Sequence, residues 1–431
     1  MIPQKTPVIP TIDHKPHAAF FRQSGWLMIA AVGGGALTWG VHFLAKSIPE
    51  SQYAVFGTLL MVVACLPTMP LQMVFAQQTA RALAGGRERQ LAGMIRLAWL
   101  LTFLVWALGA LVIVAFRKQI VAGWHLPDAT ALWVTLPLLL VSLWLPLFSG
   151  VVQGRQDFFW LGWSTILGGA GRLLLAAFLV LALGLGAAGM LAGALGAVGL
   201  ASAVLIWRSR DLWGGQTERF DGRELMRQVV PLLLGFGACQ FMFTADTMYA
   251  KAYFTGEEIA PYVAAGTLSR ALLWLVLPLA QVMFPKIVHA AAKSEKTNLF
   301  NLVVLGTAVL AICGALGLWL VGPVLVKIVY KSSYVAATTA LLPWYAGAMV
   351  PLALANVMVN DLLARSRFGV VPFMGALAVA YGFTLPFLLN RFPGRLEVLL
   401  QTLGAFNLLL FLVCAWFTWG VRKATPSEPK P

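Results

Sequence analysis

Long apolar runs constrain this chain more than any other feature. A helix that crosses a bilayer needs about 20 mostly apolar residues. Twelve runs of that kind can be marked: 25–46, 53–77, 91–116, 129–152, 158–183, 185–207, 229–254, 260–285, 298–322, 335–361, 368–390 and 396–420. Composition agrees, with 60% hydrophobic and 11% charged residues, where soluble domains carry roughly 45–50% and about 25%. A water-soluble enzyme, a disordered chain and a nucleic-acid-binding domain are thereby excluded. The fold expected is an all-α polytopic membrane protein of twelve transmembrane helices. Its plan is a tail at 1–21, a six-helix bundle at 22–207, a linker at 208–228, a second six-helix bundle at 229–421 and a tail at 422–431.

Charge bias sets the expected orientation. With the N-terminus inside, the inner segments hold 20 Lys and Arg and the outer ends hold 8. An excess of that sign places both termini in the cytoplasm. The first apolar run follows about 20 polar residues and is too long for a cleavable signal.

The two halves repeat each other. Residues 49–82 lie on 258–291 at an offset of 209, matching Tyr53 to Tyr262, Gly57 to Gly266, Thr58 to Thr267 and Gln72 to Gln281. At an offset of 210, Gly154-Arg155-x-x-Phe158 lies on Ala364-Arg365-x-x-Phe368. Six spans separate equivalent positions, so both halves point the same way. The expectation is two bundles related by a pseudo-twofold axis along the membrane normal, with a substrate site between them near the midplane. Prolines such as Pro67, Pro137, Pro146, Pro231, Pro343, Pro351 and Pro386 fall within the runs, where neighbouring helices can re-satisfy the freed backbone groups. Gly33–Gly35, Gly168-Gly169 and Gly189-x-x-x-Gly193 read as close helix contacts.

Ionisable residues inside spans are candidates for function. Arg172 sits near the middle of span five, Arg270 near the middle of span eight, and Asp246 in span seven. On span eight, Thr267, Arg270, Trp274 and Gln281 share a helical face. On span five, Thr165, Gly168, Gly169 and Arg172 do the same. Small and polar faces of this kind suit a wet cavity, and arginine grips phosphate in bidentate fashion. An anionic phosphate or pyrophosphate substrate follows, bound by Arg172, Arg270, Thr267 and Gln281. The alternative is an internal strut in which either arginine pairs with Asp246. Asp246 is thus a counter-ion or a coupling group.

Other chemistry finds no footing. There is no phosphate loop of the G-x-x-x-x-G-K-[ST] type. The histidines at 14, 17, 42, 125 and 289 show no metal spacing, and Cys65, Cys239, Cys313 and Cys414 lie in separate runs, as buried structural thiols would. Asp128 and Asp157 stand alone as solvated loop acids. Neither an enzyme nor a resident cofactor is expected.

The stretch from Thr244 through Asp246, Lys251 and Glu258, followed by Tyr262-Val-Ala-Ala-Gly-Thr-Leu-Ser-Arg270 and Phe284-Pro285-Lys286, resembles the second-half signature of bacterial polysaccharide-biosynthesis flippases. Ile48-Pro-Glu50 to Gly57 is similar to its first-half counterpart, and Gln153-Gly154-Arg155-Gln-Asp-Phe158 and Tyr334 also match. The resemblance, to the polysaccharide-transporter branch of the multidrug/oligosaccharidyl-lipid/polysaccharide exporters, covers the whole chain. It implies a flippase in the bacterial inner membrane that moves undecaprenyl-pyrophosphate-linked oligosaccharide by alternating access, for exopolysaccharide, capsule or O-antigen assembly. It further implies contact with membrane lipids, glycan polymerase or export proteins as partners, and a proton or sodium ion as the energy source. The rivals are a cation-coupled multidrug antiporter of the same superfamily, a peptidoglycan-precursor flippase and a non-transporting scaffold.

Overall fold

The structure is a computed structural model that describes residues 15–66, 68–218, 222–254, 258–273, 299–364 and 367–420. Among these, every regular element is helical. Among the described residues, ten helical stretches are long and apolar enough to cross a membrane: Glu50–Ala84, Glu88–Ala115, Thr130–Gly154, Phe158–Ala182, Gly186–Arg208, Val229–Tyr253, Val303–Val329, Val335–Leu363, Phe368–Arg391 and Leu396–Gly420. The first expected run folds as α1 (Lys15–Gly40), which starts inside the segment expected as tail and tightens into a 3-10 turn at Val41–Ser47. The eighth run is helical over 258–273 (α11), and its remainder lies outside the described residues.

The first half continues with α2 (Glu50–Ala64), α3 (Thr68–Ala84), α4 (Glu88–Ala115), the short α5 (Arg117–Gly123), α6 (Thr130–Gly154), α7 (Phe158–Ala177) and α8 (Gly186–Arg208). The expected linker carries a single turn, α9 (Arg210–Trp213), before α10 (Gly222–Tyr253) begins ahead of the apolar run. The second half ends with α12 (Leu299–Val329), α13 (Ser332–Ala364), α14 (Val371–Arg391) and α15 (Leu396–Ala415). Pro137 and Pro146 sit inside α6, Pro231 inside α10, Pro343 and Pro351 inside α13, and Pro386 inside α14.

The repeat expected from sequence is visible in how helices pair. α1 packs on α7 as α10 packs on α14; α7 and α8 pair as α14 and α15 do; α6 meets α8 as α13 meets α15; and α4 meets α6 as α12 meets α13. Two bundles of the same internal pattern result. Asp157 was expected to be solvated. Instead its side chain accepts from the Trp160 N–H at the start of α7 and pairs with Arg208 Nε at 2.7 Å. An acid at a helix N-terminus meets both unpaired N–H groups and the positive end of the dipole.

Gly34 of span one and Gly169 of span five act in packing, whereas Gly33 and Gly35 have open space beside them. A Cβ on Gly34 would lie 2.7 Å from the Thr165 carbonyl oxygen, and one on Gly169 would lie 2.4 Å from the Gly34 oxygen. The Thr165–Gly169 face, expected to line a wet cavity, is therefore the α1–α7 contact. Of the cysteines, Cys239 and Cys414 are buried as expected, Cys65 is intermediate and Cys313 is exposed on α12.

Candidate functional site

A line of polar contacts crosses the seam between the bundles. Near the chain turns at Ile48 and Lys331, Glu50 of α2 bonds to Ser333 of α13. One turn deeper, Tyr53 of α2 bonds to the Tyr330 hydroxyl at the end of α12 at 3.0 Å. The same Tyr53 hydroxyl meets His42 Nδ1 at 2.9 Å. Thr267 of α11 also faces Tyr53. At the next turn, a Cβ on Gly57 would fall 2.2 Å from Val263 Cγ1, so α2 and α11 cross where only glycine fits. Deeper still, Cys65 Sγ lies 2.7 Å from Thr244 Oγ1, and Gln240 Nε2 donates to the Ala64 carbonyl at 2.6 Å.

In the second bundle Asp246 and Arg270 form one saturated cluster. Arg270 Nη2 donates to Asp246 Oδ1 at 2.7 Å and to Thr247 Oγ1 at 2.9 Å, while Nε donates to the Phe243 carbonyl at 3.1 Å. The other carboxylate oxygen accepts from Tyr262 at 2.8 Å and from the Tyr345 hydroxyl. The guanidinium also lies over the rings of Phe243 and Tyr345, each at 5.3 Å. Asp246 is 0% and Arg270 4% exposed. Gly266 makes room, since a Cβ there would meet Arg270 Nη1 at 2.6 Å. Both carboxylate oxygens of Asp246 and the Nε and Nη2 of Arg270 are engaged.

Arg172 of the first bundle is the opposite case. Its Nε and Nη2 are buried with no hydrogen-bond partner. Its guanidinium lies 5.9 Å from the centre of the Phe56 ring. His42 lies against the other contact of that ring, at 5.8 Å between centroids. A buried guanidinium without an acceptor is costly, and the cost falls when an anion is supplied.

Of the residues expected from sequence, the structure joins Arg270 to Asp246 and sets Thr267 facing Tyr53. Arg172 stands outside the Asp246 cluster, and Gln281 and Trp274 lie outside the described residues. Sequence reading missed His42, Tyr53, Tyr330 and the tyrosine partners of Asp246. A signal existed for two of them, because the repeat aligns Tyr53 with Tyr262. The same offset of 209 aligns His42 with Lys251, which is 1% exposed. A surface cavity of about 490 Å³ lined by Arg96, Trp99, Trp144 and Trp213 lies at the linker, away from the seam.

No protein-family model matches the sequence, and no curated protein matches it. Solved structures match over nearly the whole chain. An inward-facing multidrug-resistance transporter of the MATE family, in the MOP superfamily, superposes with a TM-score of 0.69 at 12% identity, covering 92% of this chain and 96% of that one. The lipid II flippase MurJ in an inward closed conformation gives 0.67 at 12% identity, covering 93% and 87%. A MOP superfamily transporter from Pyrococcus furiosus, described by a reversed polarity of its binding pocket, gives 0.62 at 14% identity, covering 95% and 96%. The chain thus has the two-bundle fold of these transporters.

Proposed function

We propose that this chain is an alternating-access flippase for a lipid-linked oligosaccharide bearing a phosphate or pyrophosphate, and that Arg172 binds the anionic head group. The buried Nε and Nη2 of Arg172, which have no hydrogen-bond partner, carry this reading. Among the described residues Asp246 is the one buried carboxylate, and Arg270 already neutralises it. A cationic drug would need a free acid in the path. An anion needs a free cation, and this seam offers one. The sequence resemblance to polysaccharide-biosynthesis flippases points to the same substrate class, and the fold is one that MurJ, a lipid II flippase, also has.

Arg270 and Asp246 serve in this reading as a brace that fixes α10 against α11. With both termini in the cytoplasm of a bacterial inner membrane, the face holding Glu50 and Ser333 is the outer one, and the bundles are closed on that side. The sugar and phosphates would cross in the seam while the lipid tail stays in the bilayer, where the apolar outer faces of α4 and α12 already lie. Leaflet exchange of a fluorescent undecaprenyl-pyrophosphate oligosaccharide in proteoliposomes tests the proposal. Exchange above protein-free vesicles is expected; movement of cationic dyes in its place would turn the assignment to a drug antiporter.

A further inference from the structure

We infer that His42 is a proton site coupled to anion binding at Arg172, so that the head group and one proton enter the seam together. This rests on the Arg172 anion site proposed above and adds the ion that accompanies the substrate.

His42 is buried, at 6% exposure, in the 3-10 turn that follows α1. From α1 its ring meets Trp39; from α2 it meets Tyr53 and Phe56. From α7, Arg172 shares its contact with the Phe56 ring. Beyond Tyr53 lies Tyr330 at the end of α12, and the Phe178–Ala182 turn packed nearby is apolar. Arg172 is the one formal charge among these groups, and it too packs on Phe56.

Imidazole is the side chain whose ordinary titration lies in the physiological range. In the neutral ring with the proton on Nε2, Nδ1 accepts from the Tyr53 hydroxyl. A proton taken from solvent lands on Nδ1. Tyr53 then accepts from the ring and donates its own hydrogen to Tyr330. The hydrogen-bonded chain across the seam survives with its polarity reversed, so protonation breaks no contact. What changes is charge. Two cations then pack on one phenyl ring in a medium of low dielectric, where like charges repel strongly. An anion bound at Arg172 offsets that repulsion. Anion affinity therefore rises with protonation, and by reciprocity the bound anion raises the affinity for the proton.

The test uses the purified full-length protein in nanodiscs and methanedisulfonate, a stand-in for pyrophosphate that keeps two negative charges at every pH used. Calorimetry at pH 6, 7 and 8, in buffers of different ionisation enthalpy, reads affinity and proton uptake. Wild type is expected to bind up to about tenfold more tightly per pH unit lowered where uptake nears one proton per anion. His42→Gln and His42→Asn are expected to bind more weakly, with no pH slope and no proton uptake. Binding by wild type that needs Arg172 yet shows no proton uptake, or a slope that both His42 variants keep, would overturn the inference and leave the Arg172 site standing. No binding by wild type, or equal binding by Arg172→Ala, would overturn the Arg172 site itself and the coupling with it.

Discussion

Arg172 and Arg270 lie near the middle of a span in each bundle, and their surroundings could hardly differ more. Arg270 is held by a carboxylate, a threonine hydroxyl and a backbone carbonyl, over two aromatic rings. Arg172 has a phenyl ring beside it and buried nitrogens with no acceptor. The lesson is that a charge inside a membrane has two physical meanings. Where its partners are complete, it ties helices together. Where they are missing, the fold keeps an unfavourable state that a ligand can relieve.

The sharpest way to break this contrast is to strip each arginine of what the account assigns to it. Removing one partner of a buried ion pair leaves an uncompensated charge, at about 3–5 kcal/mol. Asp246→Ala or Arg270→Met alone should therefore strongly lower the unfolding temperature in detergent. Asp246→Leu with Arg270→Met should recover most of the loss, because replacing both ions by apolar groups is often near neutral. If the double variant is as unstable as the single ones, the pair is more than a brace.

Arg172→Met should behave the other way. No hydrogen bond is lost at the buried Nε and Nη2, so thermal stability is expected to hold or rise, by up to about 1–3 kcal/mol, the desolvation cost of an unsatisfied group. Differential scanning of wild type and variant reads this directly. A marked drop would mean that Arg172 is bound by groups outside the described residues.

Gly57→Ala sharpens the comparison at the seam. The added methyl would meet Val263 Cγ1, and overpacking of this kind costs about 1–3 kcal/mol. Because Gly57 and Val263 belong to different bundles, the strain should fall on the closed state at the Glu50 face. Cross-linking between cysteines at Glu50→Cys and Ser333→Cys should become slower in the Gly57→Ala background.

Tyr330→Phe is the mildest change, removing one hydrogen bond of the chain from His42 through Tyr53, worth about 0.5–1.5 kcal/mol. The same cross-linking assay should show a smaller shift in the same direction as for Gly57→Ala.

Much of the fold was legible in the sequence because lipid imposes one rule: backbone groups must be satisfied within the helix. Apolar length then marks the helices, and the match of Tyr53 to Tyr262 and Phe158 to Phe368 marked the repeat that helix pairing bears out. The linker was less legible, because α10 extends back to Gly222 through polar residues that no hydropathy window would include. The site was legible only in part. Asp246, Arg172 and Arg270 stood out as charges in apolar runs, and the strut alternative named the pair that forms. Which arginine forms it is decided by the packing of α10 on α11, where Arg270 reaches Asp246 and the Phe243 carbonyl. Helical phase placed Thr165 and Gly169 with Arg172 on one face, but it could not show that α1 covers that face up to Gly169. His42 was passed over because the polar chain it joins runs through Tyr53 to Tyr330, which lies in the other bundle.

The central claim is that Arg172 handles the substrate and Arg270 does not. Leaflet exchange of the fluorescent undecaprenyl-pyrophosphate oligosaccharide should be compared for wild type, Arg172→Ala, and the Asp246→Leu/Arg270→Met double variant, each checked for folding by its unfolding temperature. Loss of exchange in Arg172→Ala, with exchange kept by the folded double variant, is the result expected. Wild-type exchange by Arg172→Ala, or its loss in a well-folded double variant, would contradict the account.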